Sequence, residues 1–177
     1  MNSQNIKFSI IVLVAVSLVL GIIYVRISSL EYEKNSSFDY IVNINKNEFF
    51  KLMSNPEIYP TVLPENYKSI KIVENQTNVI ISEEVVQERG ITTKLLVKHI
   101  LTPNQIHQIE ILDGDAKGSI VTTKFIDIGD NTTKISVIME IKLKGILGVF
   151  SDMTHANYNS AFNNIILNFE RYYLLHN

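Results

Sequence analysis

The sequence predicts an α+β domain in which seven antiparallel strands curve around one long C-terminal helix, behind an N-terminal membrane-spanning helix. Three observations predict it. A charge-free run of 18 residues lies near the N-terminus, seven period-two segments follow one another through short turns, and the chain closes on a stretch without Gly or Pro whose apolar residues recur at spacings of three and four. At 177 residues the chain holds one ordinary domain plus an appendage.

The appendage is the run from Phe8 to Val25, flanked by Lys7 and Arg26. As a helix it is roughly 27 Å long, enough to cross a bilayer core with little tilt. A cleaved signal peptide has a shorter apolar region ending at a small-x-small site. Here the only such pattern, Ala15-Val16-Ser17, falls inside the run, so residues 1–26 read as an uncleaved single-pass anchor. Lys7 before the run and Arg26 and Lys34 after it leave the membrane side of the domain open. Sequons at Asn35, Asn75 and Asn131 occur no more often than the Asn, Ser and Thr content gives by chance. The lack of cysteine excludes a disulfide framework and fits either side. Residues 27–37 carry charges of both signs without a pattern and read as a linker, with the domain proper at 38–177.

From Phe38 the period becomes two, with Phe38, Tyr40, Val42 and Ile44 alternating against Asp39 and Asn43. Six further strands are expected at about 67–74, 78–88, 91–101, 105–112, 118–128 and 132–143, each joined to the next by a short turn and hence paired antiparallel. The last is the clearest: Ile135, Val137, Met139, Ile141 and Leu143 share one face, while Lys134, Ser136, Glu140 and Lys142 share the other. A sheet with one dry face needs a cover. The segment from about Ser151 to Leu175 supplies it, with Tyr158, Ala161, Phe162, Ile165, Phe169, Tyr172 and Tyr173 as the apolar stripe and Asn157, Ser160, Asn163, Asn164, Asn168 and Arg171 opposite. Ser151 or Thr154 is the expected cap.

Between the first two strands, "NEFFKLMSNPEIYPTVLP" starts as an amphipathic helix and is broken by Pro56, Pro60 and Pro64. Proline lacks a backbone N–H and turns its predecessor away from helical geometry. Ile58, Tyr59, Val62 and Leu63 continue the apolar face past the break, as expected of a kinked helical pair that plugs one end of a curved sheet.

This order of elements, the motif Phe-x-x-x-Ser-Asn-Pro-x-x-Tyr-Pro-x-x-Leu-Pro at residues 50–64 and the aromatic C-terminal helix resemble the START-like (SRPBCC) superfamily, which includes polyketide cyclase/dehydrase-like and coenzyme Q-binding-like lipid-transport domains. The resemblance covers about Ser37 to Leu175 and implies the helix-grip fold, with an apolar cavity between sheet and helix. If odd-numbered residues of the 91–101 strand face inward, Leu95, Val97 and His99 line that cavity. Thr123, Phe125 and Met139 join them from later strands, Tyr59 from the plug, and Tyr158, Phe162, Ile165 and Phe169 from the helix. Core packing and ligand contact are both open to each apolar member.

His99 is the polar candidate, able to orient a ligand carbonyl or act as an acid/base, or else to be satisfied by nearby backbone or lie at the sheet edge. His107, His155 and His176 lack the spacing of a metal site, and no cofactor motif is present. Glu83, Glu84 and Glu88 read as solvated, and Asp113-Gly114-Asp115 as a hairpin turn. The net charge of −2 without a Lys/Arg cluster argues against nucleic acid as a partner. The expected function is a membrane-anchored domain binding a hydrophobic small molecule, a lipid or isoprenoid quinone. Two alternatives stand beside it: a cyclase/dehydratase-type enzyme using His99, and a ligand-free protein-interaction module.

Overall fold

The computed structural model describes residues 16–21, 31–88, 90–145, 148 and 157–176. In chain order the elements are β1 (Glu31–Val42), α1 (Lys46–Met53), a 3-10 turn (Pro56–Ile58), α2 (Tyr59–Val62), β2 (Tyr67–Gln76), β3 (Val79–Glu88), β4 (Ile91–Thr102), β5 (Ile106–Asp113), β6 (Ile120–Gly129), β7 (Thr132–Lys144) and α3 (Tyr158–His176). The seven strands form one antiparallel sheet in the order β1-β7-β6-β5-β4-β3-β2. Consecutive strands from β2 to β7 are neighbours, whereas β1 and β2 stand at opposite edges. The broken helix between them therefore carries the chain from one edge to the other.

Each piece of the broken helix has its own cap. The Asn45 side chain accepts the Asn47 N–H at the start of α1, and Asn55 accepts the Glu57 N–H at the start of the 3-10 turn. The Tyr59 hydroxyl donates to the Met53 carbonyl at 2.8 Å, satisfying an orphan acceptor at the end of α1 across the break. Phe49, Phe50 and Met53 of α1, with Tyr59, Val62 and Leu63 beyond it, are buried in the core. Phe50 meets Phe125 of β6 edge-on at 5.2 Å between ring centroids.

The alternation on β7 is as expected: Thr133, Ile135, Val137 and Met139 are buried, and Ile138 and Glu140 are exposed. On α3, Phe169 and Ile166 are buried in the same core, and Phe162 and Ile165 pack against it. Three details of this helix depart from the expected stripe. Ala161 is exposed and Ile166 is fully buried, because the contact line follows residues 162, 165, 166, 169 and 173. Asn157 is not on a polar face but caps the helix, its side chain accepting the Ser160 N–H at 3.1 Å. The expected caps Ser151 and Thr154 lie outside the described residues.

The linker expected at 27–37 is corrected over residues 31–37; residues 27–30 lie outside the described residues. From Glu31 the chain is already β1, in register with β7 from Glu31 opposite Lys144 to Val42 opposite Thr133. The side chains of residues 31–37 show no clean apolar alternation, but their backbone pairs with β7, and Glu31–Lys144 and Glu33–Lys142 add exposed ion pairs. Of the charge-free run Phe8–Val25, only 16–21 are described; they are helical, with Val16, Leu18, Val19 and Leu20 at least 50% exposed. No helix among the described residues is long and apolar enough to cross a membrane, and the rest of the expected anchor lies outside them.

Phe169 is 2% exposed, with its ring edge-on to Tyr59 at 5.6 Å, whereas Asn164 is exposed. Phe169→Ala should cost about 3–5 kcal/mol and Asn164→Ala less than about 0.5 kcal/mol, read from denaturant unfolding curves. Equal effects would mean that α3 does not grip the sheet. A fragment starting at residue 29 should melt higher than one starting at Phe38, which strips the β7 edge from Ile138 to Lys144 and should self-associate during size-exclusion chromatography.

Candidate functional site

The inner face of the sheet is not uniformly apolar. On β4, Val97 and His99 point inward and are buried, while Thr92 and Lys94 are exposed. The neighbouring strands place polar residues beside them. Ser82 and Glu84 of β3 and His107 of β5 are buried, none of these four polar residues being more than 3% exposed. They form one chain of contacts. Ser82 Oγ donates to Glu84 Oε1 at 2.7 Å, that oxygen lies 3.0 Å from Nε2 of His99, and Nδ1 of His99 lies 3.0 Å from Nε2 of His107. The two imidazoles stack with centroids 5.3 Å apart.

Aromatic residues seal this relay. Tyr59 sets its ring edge-on to His99 at 6.2 Å and to Tyr67 of β2 at 5.2 Å. Burial, then the neighbouring Tyr67 and Glu84, pushes the Tyr59 phenol well above its ordinary range. Burial, then Glu84, raises Tyr67 likewise. Both phenols therefore act here only as neutral hydroxyls. Burial, with the adjacent His99, pushes His107 down from 6.5 to about 3, which keeps it a neutral imidazole at physiological pH.

Two corrections to the sequence reading follow. Glu84 is not solvated; Glu83 is exposed, but Glu84 points inward. His99 is satisfied neither by backbone nor at a sheet edge, but by Glu84 and His107. A signal for both partners was present in the turns. The short turn at Arg89-Gly90 fixes Glu88 opposite Ile91, which sets Ser82 opposite Val97 and Glu84 opposite Leu95. If β4 turns its odd residues inward, β3 must turn its even ones inward. The same step through the β4–β5 turn sets His107 opposite Leu101.

The expected lining residues fall into two groups. Tyr59, Val97, His99, Thr123, Phe125, Met139 and Phe169 are buried, and Tyr59, Phe125, Met139 and Phe169 belong to the packed core at the α1 end. Leu95, Tyr158, Phe162 and Ile165 are only half-buried, as are Ile109 and Ile111 of β5, which share the inward parity of His107, and Val121 of β6. The helix packs against β1, α1 and α2, toward one side of the sheet. The interior is thus tightly filled beside α1 and less so along β4, β5 and β6, where the relay forms part of the wall. Leu95 and Glu84 also border a groove of about 550 Å³, with Lys71, Lys94, Asp113 and Gly114 among its other walls. Gly114 is required there: at φ of +101°, a Cβ would sit 2.6 Å from the Lys94 carbonyl oxygen. Among the described residues no cluster of three or more His, Asp or Glu is placed to hold a metal.

No protein-family model matches the chain, and no curated relative matches it. Solved structures do. The Zhui aromatase/cyclase from Streptomyces sp. R1128 is similar at 11% identity and a TM-score of 0.64, over 79% of this chain and 95% of that one. Ara h 8.0201 is similar at 20% identity and 0.64, over 82% and 100%. Norcoclaurine synthase from Thalictrum flavum, solved with dopamine and hydroxybenzaldehyde, is similar at 14% identity and 0.63, over 83% and 90%. The chain has the helix-grip fold. At these identities the helix grip is what is shared, and chemistry has to be argued from this chain's own side chains.

Burial, with the adjacent His99, holds His107 neutral, and this gives a pH signature. The unfolded chain takes up a proton at His107 near 6.5, while the folded state refuses it until about 3. Stability from this residue is therefore complete above the higher value and is lost as pH falls toward the lower one. His107→Gln keeps a donor toward His99 but binds no proton. Unfolding curves across that window should show a shallower loss for this variant than for the unaltered chain; parallel profiles would refute the assignment.

Proposed function

We propose that the domain binds an apolar small molecule, a lipid or isoprenoid quinone, between the sheet and α3, and that the Phe8–Val25 run tethers it to a membrane. The observation that supports this reading is the half-buried state of inward apolar residues on β4, β5 and β6 and on the first turns of α3, beside a fully packed α1 end. A protein that used its interior only as a core would fill both ends alike, so the ligand-free interaction module is the weaker reading. The tether would keep the less filled end near a bilayer, where such ligands dissolve.

An enzyme of the cyclase type is the second reading, favoured by the buried Glu84–His99–His107 relay. His99 itself is 0% exposed and both its ring nitrogens are engaged, so proton transfer to a substrate would have to pass through His107. Organic extraction of the purified full-length chain followed by mass spectrometry should recover a lipid or quinone in near-stoichiometric amount. Recovery at the level of a detergent-only control, with no uptake of added quinone, would overturn the binding reading.

A further inference from the structure

The two halves of β1 are held in different ways. In residues 38–42, Val42 is fully buried and Phe38 and Tyr40 pack against the core. In residues 31–37, Glu31, Glu33, Lys34, Asn35 and Ser37 are exposed, and Tyr32 and Ser36 are only half-buried. This half runs along an edge of the sheet, so its backbone pairs with β7 alone. The ion pairs Glu31–Lys144 and Glu33–Lys142 that reinforce it have side chains 47–63% exposed, where solvent and salt weaken them.

The inward residues of this weaker half, with Phe38 beside them, meet the start of α3. Tyr32 sets its ring 6.4 Å from that of Tyr158, the Ser36 hydroxyl donates to Asn159 Oδ1, and Phe38 meets Phe162 edge-on at 6.0 Å. From Tyr158 to Ile165 no side chain of the helix is fully buried, whereas Ile166 and Phe169 beyond it are. One turn past Asn159, Oδ1 of Asn163 is buried with no hydrogen-bond partner among the described residues. Such an acceptor regains a hydrogen bond when water reaches it, so these turns keep their seat against a gain on lifting. Segments with few buried apolar contacts are the ones that open locally while the rest of a fold stays intact.

We propose that residues 31–37 are a strap: they clasp the first two turns of α3 to the sheet edge, and peeling them from β7 lifts those turns while residues 38–42 and the core stay in place. Only five residues, Arg26 to Leu30, separate the Phe8–Val25 run from the strap, a reach of at most about 18 Å when fully extended. A domain tethered by that run is therefore held through the strap. The lifted turns belong to the half-buried wall between sheet and helix, so the strap sets how fast an apolar molecule enters and leaves. This entry role rests on the ligand-binding reading above.

The chain has no cysteine, so an introduced cross-strand disulfide can hold the strap shut. Asn35 stands opposite Glu140, and Ile41 stands opposite Lys134 in the core-held half. Both pairs lie on the outer face and share the same place in the ladder alternation. In the full-length chain in detergent, hydrogen exchange read by mass spectrometry should be faster in residues 31–37 than in 38–42, and faster in 158–163 than in 166–172. Oxidising Asn35→Cys/Glu140→Cys should slow 31–37 and 158–163 together by at least about tenfold, and dithiothreitol should restore both. Oxidised Ile41→Cys/Lys134→Cys should leave 158–163 unchanged. Slowing confined to 31–37 overturns the strap, and so does a 35–140 pair that fails to oxidise while the 41–134 pair succeeds. The entry role is read separately, from the rate at which ubiquinone-1 quenches the tyrosine fluorescence of the same proteins. The 35–140 disulfide should slow that rate and leave the final quenching unchanged. An unaltered rate overturns the entry role. Absence of quenching in the unaltered chain overturns the ligand-binding reading and the entry role with it, while hydrogen exchange still decides the strap.

Discussion

The buried hydroxyl of Tyr59 bonds to the Met53 carbonyl across the proline break, and the ring carrying it packs against Phe169, Tyr67 and His99. A helix cut short in a core leaves carbonyls without partners, each costing about 1–3 kcal/mol if left unpaired. Tyr59 removes one such loss from within the segment that creates it. The same side chain then joins three layers. It holds the plug to α1, gives α3 an aromatic surface to pack on, and closes the relay off from the packed end. The prolines make the break, but Tyr59 makes it compatible with a dry interior.

Around that residue the interior divides by polarity. At the α1 end, Phe49, Phe50, Phe125, Ile135, Ile166 and Phe169 bury their surface against one another. Beyond Tyr59, β3, β4 and β5 place Ser82, Glu84, His99 and His107 where aliphatic residues would pack with less desolvation. A buried charged network is weak evidence for stability and stronger evidence for specificity, since every member constrains the protonation of the next. Here the network runs from a carboxylate through two imidazoles.

The aromatase/cyclase, Ara h 8.0201 and norcoclaurine synthase structures share 11%, 20% and 14% identity with the chain. So low an identity leaves the sheet order and the gripped helix as the common property. That is the expected consequence of how the fold works: a curved sheet and a covering helix are specified by periodicity, which many sequences satisfy. What lies between sheet and helix is specified residue by residue.

The existence and order of the strands, the turn positions and the kinked plug were legible in the sequence because each is set by local chemistry: alternation along β7, the turn at Arg89-Gly90, three prolines after an apolar helical turn. The inward parity of β4, and with it Val97 and His99, was legible for the same reason. Three features were decided only by the tertiary structure. Residues 31–37 become strand because β7 offers them a free edge, a long-range backbone interaction that leaves no mark in their side chains. Ile166 replaces Ala161 on the contact line of α3 because the approach of the helix to β1, α1 and α2 sets which stripe is covered. Glu84 and His107 join His99 because the β3–β4 and β4–β5 registers set them on one inward face; the turns fix that register, but alternation within β3 alone does not say which of the adjacent Glu83 and Glu84 is buried. Period and turn are properties of a segment; burial of a charge is a property of everything that surrounds it.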